Sequence, residues 1–187
     1  MNATMIREVL NGIDVTALKG TMETVRVNSD AGQTHWEVNS HWRGGTRSDH
    51  SVQGCRIGGQ EVPREFTIQM DEPIELCGTN QFANPQEYLL SAMNACMMVG
   101  YSAVAALMGI KLTKLEIRTW GDIDLRGFLG IDSKVPPGYK SLQQTVTIAA
   151  EASDQQLRHL HETIKRTSPN YFNITSAVPT QSRLVIE

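Results

Sequence analysis

Apolar and polar positions repeat along this chain in two periods, and the switches between them mark its elements. Behind Asp14, a residue type suited to an N-cap, Val15, Leu18, Met22 and Val25 recur at helical spacing, which predicts a short amphipathic helix to about Arg26. NSDAGQ reads as a turn. THWEVNSHWRGGTRSDHSVQGC then alternates loosely and is interrupted at Gly44 and Gly45, predicting two strands joined or bent at the glycines. In EFTIQM, residues 65–70, Phe66, Ile68 and Met70 share one face of a third strand, which DEP closes. The first third is thus expected to be a small antiparallel sheet behind an N-terminal helix.

A different pattern follows. NPQEYLLSAMNACMMVGYSAVAALMGI, residues 84–110, carries no charge after Glu87 and is long enough to cross a bilayer. Ser91, Asn94 and Ser102 put polar groups on more than one face, the flanks lack basic asymmetry, and charged strand-like segments lie on both sides. A helix apolar on all sides can equally be buried in a core. That is the reading adopted, with no membrane span. Covering every face of so long a helix asks for more protein than one small chain supplies. A second subunit would provide it, and Ala92, Ala95, Gly100, Ala103 and Ala106 would let another helix approach closely.

Beyond residue 110, KLEIRTWGDIDLRG and SLQQTVTIAAEA have the β-branched content and alternation of strands, expected to pair antiparallel. SDQQLRHLHETIKR places Leu157, Leu160 and Ile164 on one helical stripe behind Ser153 as cap, predicting a surface helix. TSPNYFNITSAVPT reads as a proline-bounded connection and SRLVIE as a last short strand. The order predicts an α+β fold with antiparallel sheets around the long buried helix. A chain of 187 residues is long enough for one sizeable core. A single domain over 1–187 is expected, with about 1–32 an N-terminal helical extension.

Composition narrows the function classes. Hydrophobic content of 40%, charged content of 20% and a net charge of -3 describe a globular protein without a surface built to neutralise phosphates, so nucleic acid is not an expected partner. The opening MNATMIREVLNGIDVTALKG lacks the marks of a signal peptide, and a cytoplasmic location is expected. His159 and His161 would point about 200° apart on a helix, and the other histidines are scattered, so no metal and no cofactor are expected. Cys55, Cys77 and Cys96 are too irregularly spaced for a disulfide framework or a zinc site.

Cys96 lies near the middle of the apolar run, where a free cysteine often serves as a small buried hydrophobe. Its surroundings suggest more. NPQEYLLSAMNAC resembles the segment of the OsmC/Ohr family in which an NPEE-like or NPEQ-like start leads into an alanine-rich helix ending in the peroxidatic cysteine. GDIDLRGFLGIDSKVPPGY resembles the strand and turn that follow that helix, and KRTSPNYFNITSAVPT the RSPVF...NPVP segment. WRGGTRS and DEP suit the family's first sheet, so the resemblance spans about residues 42–187. It implies the OsmC-like fold: an interwoven homodimer with long central helices between sheets.

The resemblance also implies a chemistry, carried over position by position. Cys96 matches the cysteine that attacks a peroxide as a thiolate and becomes a sulfenic acid. Ser168 stands where the resolving cysteine is expected, and a serine cannot form the disulfide, which points to a single-cysteine branch. The activating carboxylate corresponds to Glu87, or by strict counting to Gln86. The arginine of the first sheet corresponds to Arg47 or to Arg43, and Asp49 stands where some relatives have an arginine. Glu87 and Cys96 are about 13–14 Å apart along one helix, so a straight helix cannot bring them together by itself. Glu87 is also a favourable first-turn acid, and Cys55 and Cys77 read as structural. The implied function is thiol-dependent reduction of organic hydroperoxides in oxidative stress, with an external thiol as reductant. The alternative is a non-catalytic homodimer binding a small apolar or thiol-bearing ligand after loss of peroxidase turnover.

Overall fold

The computed structural model describes residues 7–187, which divide into two compact units, residues 13–91 with the segment up to Val9, and residues 92–187 with Leu10–Gly12. Two short strands, β1 (Val9–Leu10) and β2 (Ile13–Asp14), flank a left-handed turn at Asn11 and Gly12.

In the first unit, helix α1 (Val15–Val27) starts as its sequence predicts: the Asp14 side chain accepts from the Ala17 amide. Strands β3 (Thr34–Trp36) and β4 (Asn39–Trp42) lie along one edge of β5 (Ser48–Ile57), and β6 (Gln60–Met70) pairs along the other, all antiparallel. The turn between β4 and β5 uses positive φ at Gly44 and Gly45, as expected of a break at those glycines. The third strand is longer than the alternation suggested. It begins at Gln60, directly after a Gly58–Gly59 hairpin turn with both φ positive. Pro63 lies where the pairing register shifts by one residue, opposite Gly54, which is how a strand interior accommodates a proline.

Helix α2 (Pro85–Leu107) begins in the first unit and runs into the second. It ends in a left-handed Gly109, with the Ile110 amide bonded back to the Ala105 carbonyl. It is the chain's one helix, among the described residues, long and apolar enough to cross a membrane. In the second unit Met93, Met97, Tyr101 and Ala105 form a buried stripe at four-residue spacing, joined in the core by Ile110, Leu160 and Ile164. The opposite side exposes Ala92, Ala95 and Val99.

Strands β7 (Leu112–Trp120) and β8 (Gln143–Ala150) pair antiparallel and supply Leu115, Ile117, Val146 and Ile148 to this core. Helix α4 (Asp154–Thr167) opens on a complete capping box between Ser153 and Gln156 and buries Leu160 and Ile164. α4 packs closely on α2 at Gly100, where a Cβ would sit 3.3 Å from the Ile164 side chain.

Three expectations are corrected in this unit. β7 stops at Trp120, because Asp124 caps a one-turn helix, α3 (Leu125–Phe128), where an extended run was expected. The connection after α4 contains a further helix, α5 (Pro169–Thr175), with Ser168 as N-cap and Pro169 at its first position. SRLVIE forms no strand, and Leu184, Val185 and Ile186 are exposed without a pairing neighbour among the described residues.

Candidate functional site

Cys96 is half-buried on α2, one position before the buried stripe residue Met97. The junction of α4 and α5 meets it. The Ser168 amide closes α4 on the Ile164 carbonyl at 2.9 Å, and its hydroxyl accepts from the Tyr171 amide at 3.4 Å to open α5. The same hydroxyl, in a side chain only 4% exposed, donates to Cys96 Sγ at 3.4 Å. Asn170 Nδ2 donates to the Ala92 carbonyl at 2.9 Å, one turn before Cys96, which fixes the junction on α2. Cys96 and Ser168, singled out separately in the sequence, are therefore neighbours.

The other candidates lie in the first unit, with Cys55 and Cys77. Glu87 and Asn84 form a reciprocal cap at the start of α2: Glu87 accepts from the Asn84 amide at 2.8 Å, and Asn84 Oδ1 accepts from the Glu87 amide at 2.9 Å. With Pro85 at the first helical position, NPQE is a complete helix-initiation signal. Gln86 is exposed. The two arginines differ in their commitments. Arg43 is paired with Asp49 at 2.8 Å, while Arg47 lies over the Phe82 ring at 5.6 Å and has a buried Nε without a hydrogen-bond partner among the described residues. Asp49 is held below its ordinary value by hydrogen bonds from Gln69 and then Arg43. Cys55 is buried in β5 opposite Trp36 and Val62, and Cys77 is exposed at φ 63° after a 3-10 turn.

What holds the Arg47 turn went unread in the sequence. Asp71 is fully buried and accepts from Thr46 Oγ1 at 2.7 Å, Thr79 Oγ1 at 2.5 Å, Thr79 N at 3.0 Å and Gln81 N at 3.3 Å. Hydrogen bonds from Thr79 and then Thr46 hold this carboxyl far below the usual carboxylate range. One acid thus fastens the residue before Arg47 to the loop that carries Phe82. The sequence signal was the aspartate of DEP, read there only as the end of a strand.

Two polar constellations in the second unit were also missed. Asn94 Oδ1 accepts from Thr119 Oγ1 at 2.6 Å and from Gln144 Nε2 at 3.4 Å, linking α2, β7 and β8. The hydroxyl of Tyr101, itself fully buried, hydrogen-bonds His161 Nδ1, and the two rings stack with centroids 6.3 Å apart. Among the described residues no cluster of histidine, cysteine or acidic side chains could hold a metal ion.

Comparison with known proteins bears on the fold. The fold is similar to that of an OsmC-like protein from Mycoplasma pneumoniae, with a TM-score of 0.57, 14% identity, and coverage of 75% of this chain and 86% of that one. A protein from Psychrobacter arcticus, provisionally assigned as osmotic-stress-induced and of the detoxification response, gives a TM-score of 0.54 at 15% identity, covering 72% of this chain and 84% of its own. At such identities the likeness is one of fold. No curated protein matches the chain. The family model described as OsmC-like protein matches residues 78–183, more than half of the sequence and the part containing both Cys96 and Ser168, and the chain belongs to the OsmC-like family.

Proposed function

We propose that this protein reduces organic hydroperoxides at Cys96 and relies on a thiol from solution to complete the cycle. The observation that carries the reading is the Ser168 hydroxyl 3.4 Å from Cys96 Sγ, at the position where the family resemblance implies a resolving cysteine. In the first step the Cys96 thiolate attacks the terminal oxygen of R–O–O–H. The O–O bond breaks, the sulfur is oxidised to a sulfenic acid, and the alkoxide leaves and takes up a proton as the alcohol. A small thiol then condenses with the sulfenic acid, releasing water and forming a mixed disulfide. A second thiol reduces that disulfide and restores Cys96. Arg47 is the better candidate for the implied arginine, since Arg43 is already paired with Asp49. Glu87 is the candidate carboxylate and already caps α2. The proposed setting is the cytoplasm, and the proposed assembly a homodimer.

The test is to treat purified protein with an organic hydroperoxide and read Cys96 by mass spectrometry. One added oxygen, trapped by a sulfenic-acid reagent, is expected, together with alcohol product when thiol is supplied. An unmodified Cys96, at peroxide levels that oxidise a free thiol, overturns the reading. The serine at 168 favours one alternative, a small-ligand-binding homodimer without turnover. That alternative is the outcome if Cys96 stays reduced while a hydroperoxide or its alcohol still binds.

A further inference from the structure

A cleft of about 640 Å³ opens in the second unit between β8, α2 and α4, lined at one end by Val146, Ile148 and Leu157 and at the other by Gln144 and His161. The polar end is fixed from behind. Gln144 Nε2 donates to Thr119 Oγ1 at 3.1 Å and reaches Asn94 Oδ1 and Met97 Sδ, each at 3.4 Å, so the amide nitrogen is committed to the protein. Its Oε1 accepts no hydrogen bond among the described residues and is left to the cleft. His161 is held by Tyr101 at Nδ1. With the hydroxyl assigned as donor, Nδ1 is the acceptor and Nε2 carries a hydrogen to donate, with no partner for it among the described residues. Arg158, one turn earlier on α4 and also lining the cleft, has no ion pair among the described residues. Glu162, the acidic group on this rim, is already engaged by Lys165 through both oxygens at 3.2 Å.

We propose that this cleft binds a small aliphatic carboxylic acid, with its carboxylate on Arg158 and His161 and its chain along Val146 and Ile148. Arg158 and His161 lie one turn apart on α4 and both line the cleft, and Glu162, the one acidic residue of that lining among the described residues, carries its own cation, so this rim favours an anion. Gln144 to Ile148 spans about 13 Å of strand, with the side chains at 144, 146 and 148 on one face, long enough for an eight-carbon chain. A short polar head and a long apolar wall select for an amphipathic monocarboxylate over a polar metabolite. The proposal does not rest on the chemistry of Cys96.

The experiment is calorimetric titration of the full-length protein with octanoate and with 1-octanol, followed by the same titrations on Arg158→Gln, Ile148→Trp and Cys96→Ala. Saturable octanoate binding is expected, about tenfold weaker for Arg158→Gln through loss of a charge-assisted hydrogen bond. It is abolished by Ile148→Trp, which fills the apolar end, and unchanged in Cys96→Ala. Octanol should bind no better to wild type than to Arg158→Gln. Should Ile148→Trp unfold the protein, Val146→Met, a smaller filling of the same wall, is read for weakened binding instead. No saturable octanoate binding overturns the proposal, as does binding insensitive to Arg158→Gln or binding lost in Cys96→Ala.

Discussion

A single hydroxyl ties the fold to the proposed chemistry, because Ser168 ends one helix, starts the next and donates to the cysteine. A cysteine at 168 would bring a second sulfur alongside Cys96 Sγ. Ser168→Cys is therefore expected to form an intramolecular disulfide under mild peroxide and to suppress the sulfinic product that excess peroxide gives in the parent protein. Peptide mapping reads both species, and sulfenic acid without disulfide in the variant would show that the geometry does not allow bonding. Tyr101 makes a separate case. Burial first, and the charge of Glu162 second, push its hydroxyl up to about 12, whereas an unfolded tyrosine ionises near about 10. Between those values the unfolded state has lost the proton and the folded state has kept it. Stability should fall as pH rises from about 10 to about 12, and Tyr101→Phe should flatten that alkaline limb. Urea midpoints of both proteins across this range decide it. For Asp71 the sign is reversed: its folded value is depressed, so its contribution is full above the unfolded value near about 4 and is lost as pH falls. Asp71→Asn should lower Tm at neutral pH and weaken the acid dependence of unfolding.

At the scale of elements, what was legible followed from local signals, whereas the polar ties that went unread join residues far apart along the chain. The caps at Asp14 and Ser153 were readable because the residue that caps and the amide it serves lie three positions apart. The stripe of Leu157, Leu160 and Ile164 was readable from spacing alone. Pro169 misled, because the segment around it was read as a proline-bounded connection. It occupies the first position of α5, where an amide would have no partner within the helix, and so opens a helix instead of bounding a loop. SRLVIE has strand composition but no neighbouring strand to pair with among the described residues, and composition cannot supply one. The candidate site was half-legible in the same sense. Cys96 and Ser168 could be marked individually, but their contact depends on α5, which was read as a loop. The role of Asp71 depends on hydroxyls 25 and 8 residues away. Core energetics can be tested on α4. Leu160, fully buried, should lose about 2–5 kcal/mol on change to Ala, and the partly buried Leu157 less, both read from urea unfolding. Asn84→Ala, which removes half of the α2 cap, should cost about 1 kcal/mol by the same measurement.

On the scale of the whole molecule, the face of α2 opposite its buried stripe remains to be accounted for. That face combines small residues, Ala92 and Ala95, with Val99, which is 68% exposed, inside a helix whose composition would suit a lipid bilayer. A long apolar helix with one side in water leaves apolar surface uncovered. Small side chains on that side are what close approach of a second helix requires, and a twofold arrangement would set the same patch of each copy against the other. The exposed apolar end of the chain, Leu184 to Ile186, is a second surface that a partner copy would cover. The proposed homodimer follows from these two surfaces. Light scattering at micromolar concentration should give twice the mass of the 20.7 kDa chain. Val99→Glu places a charge on the uncovered face without touching the core stripe. It should shift the protein toward monomer and expose apolar surface to a hydrophobic dye, while far-ultraviolet circular dichroism stays unchanged. A folded wild-type monomer at that concentration, or a Val99→Glu protein that keeps the parent mass, would remove the argument that this helix is shared between two copies.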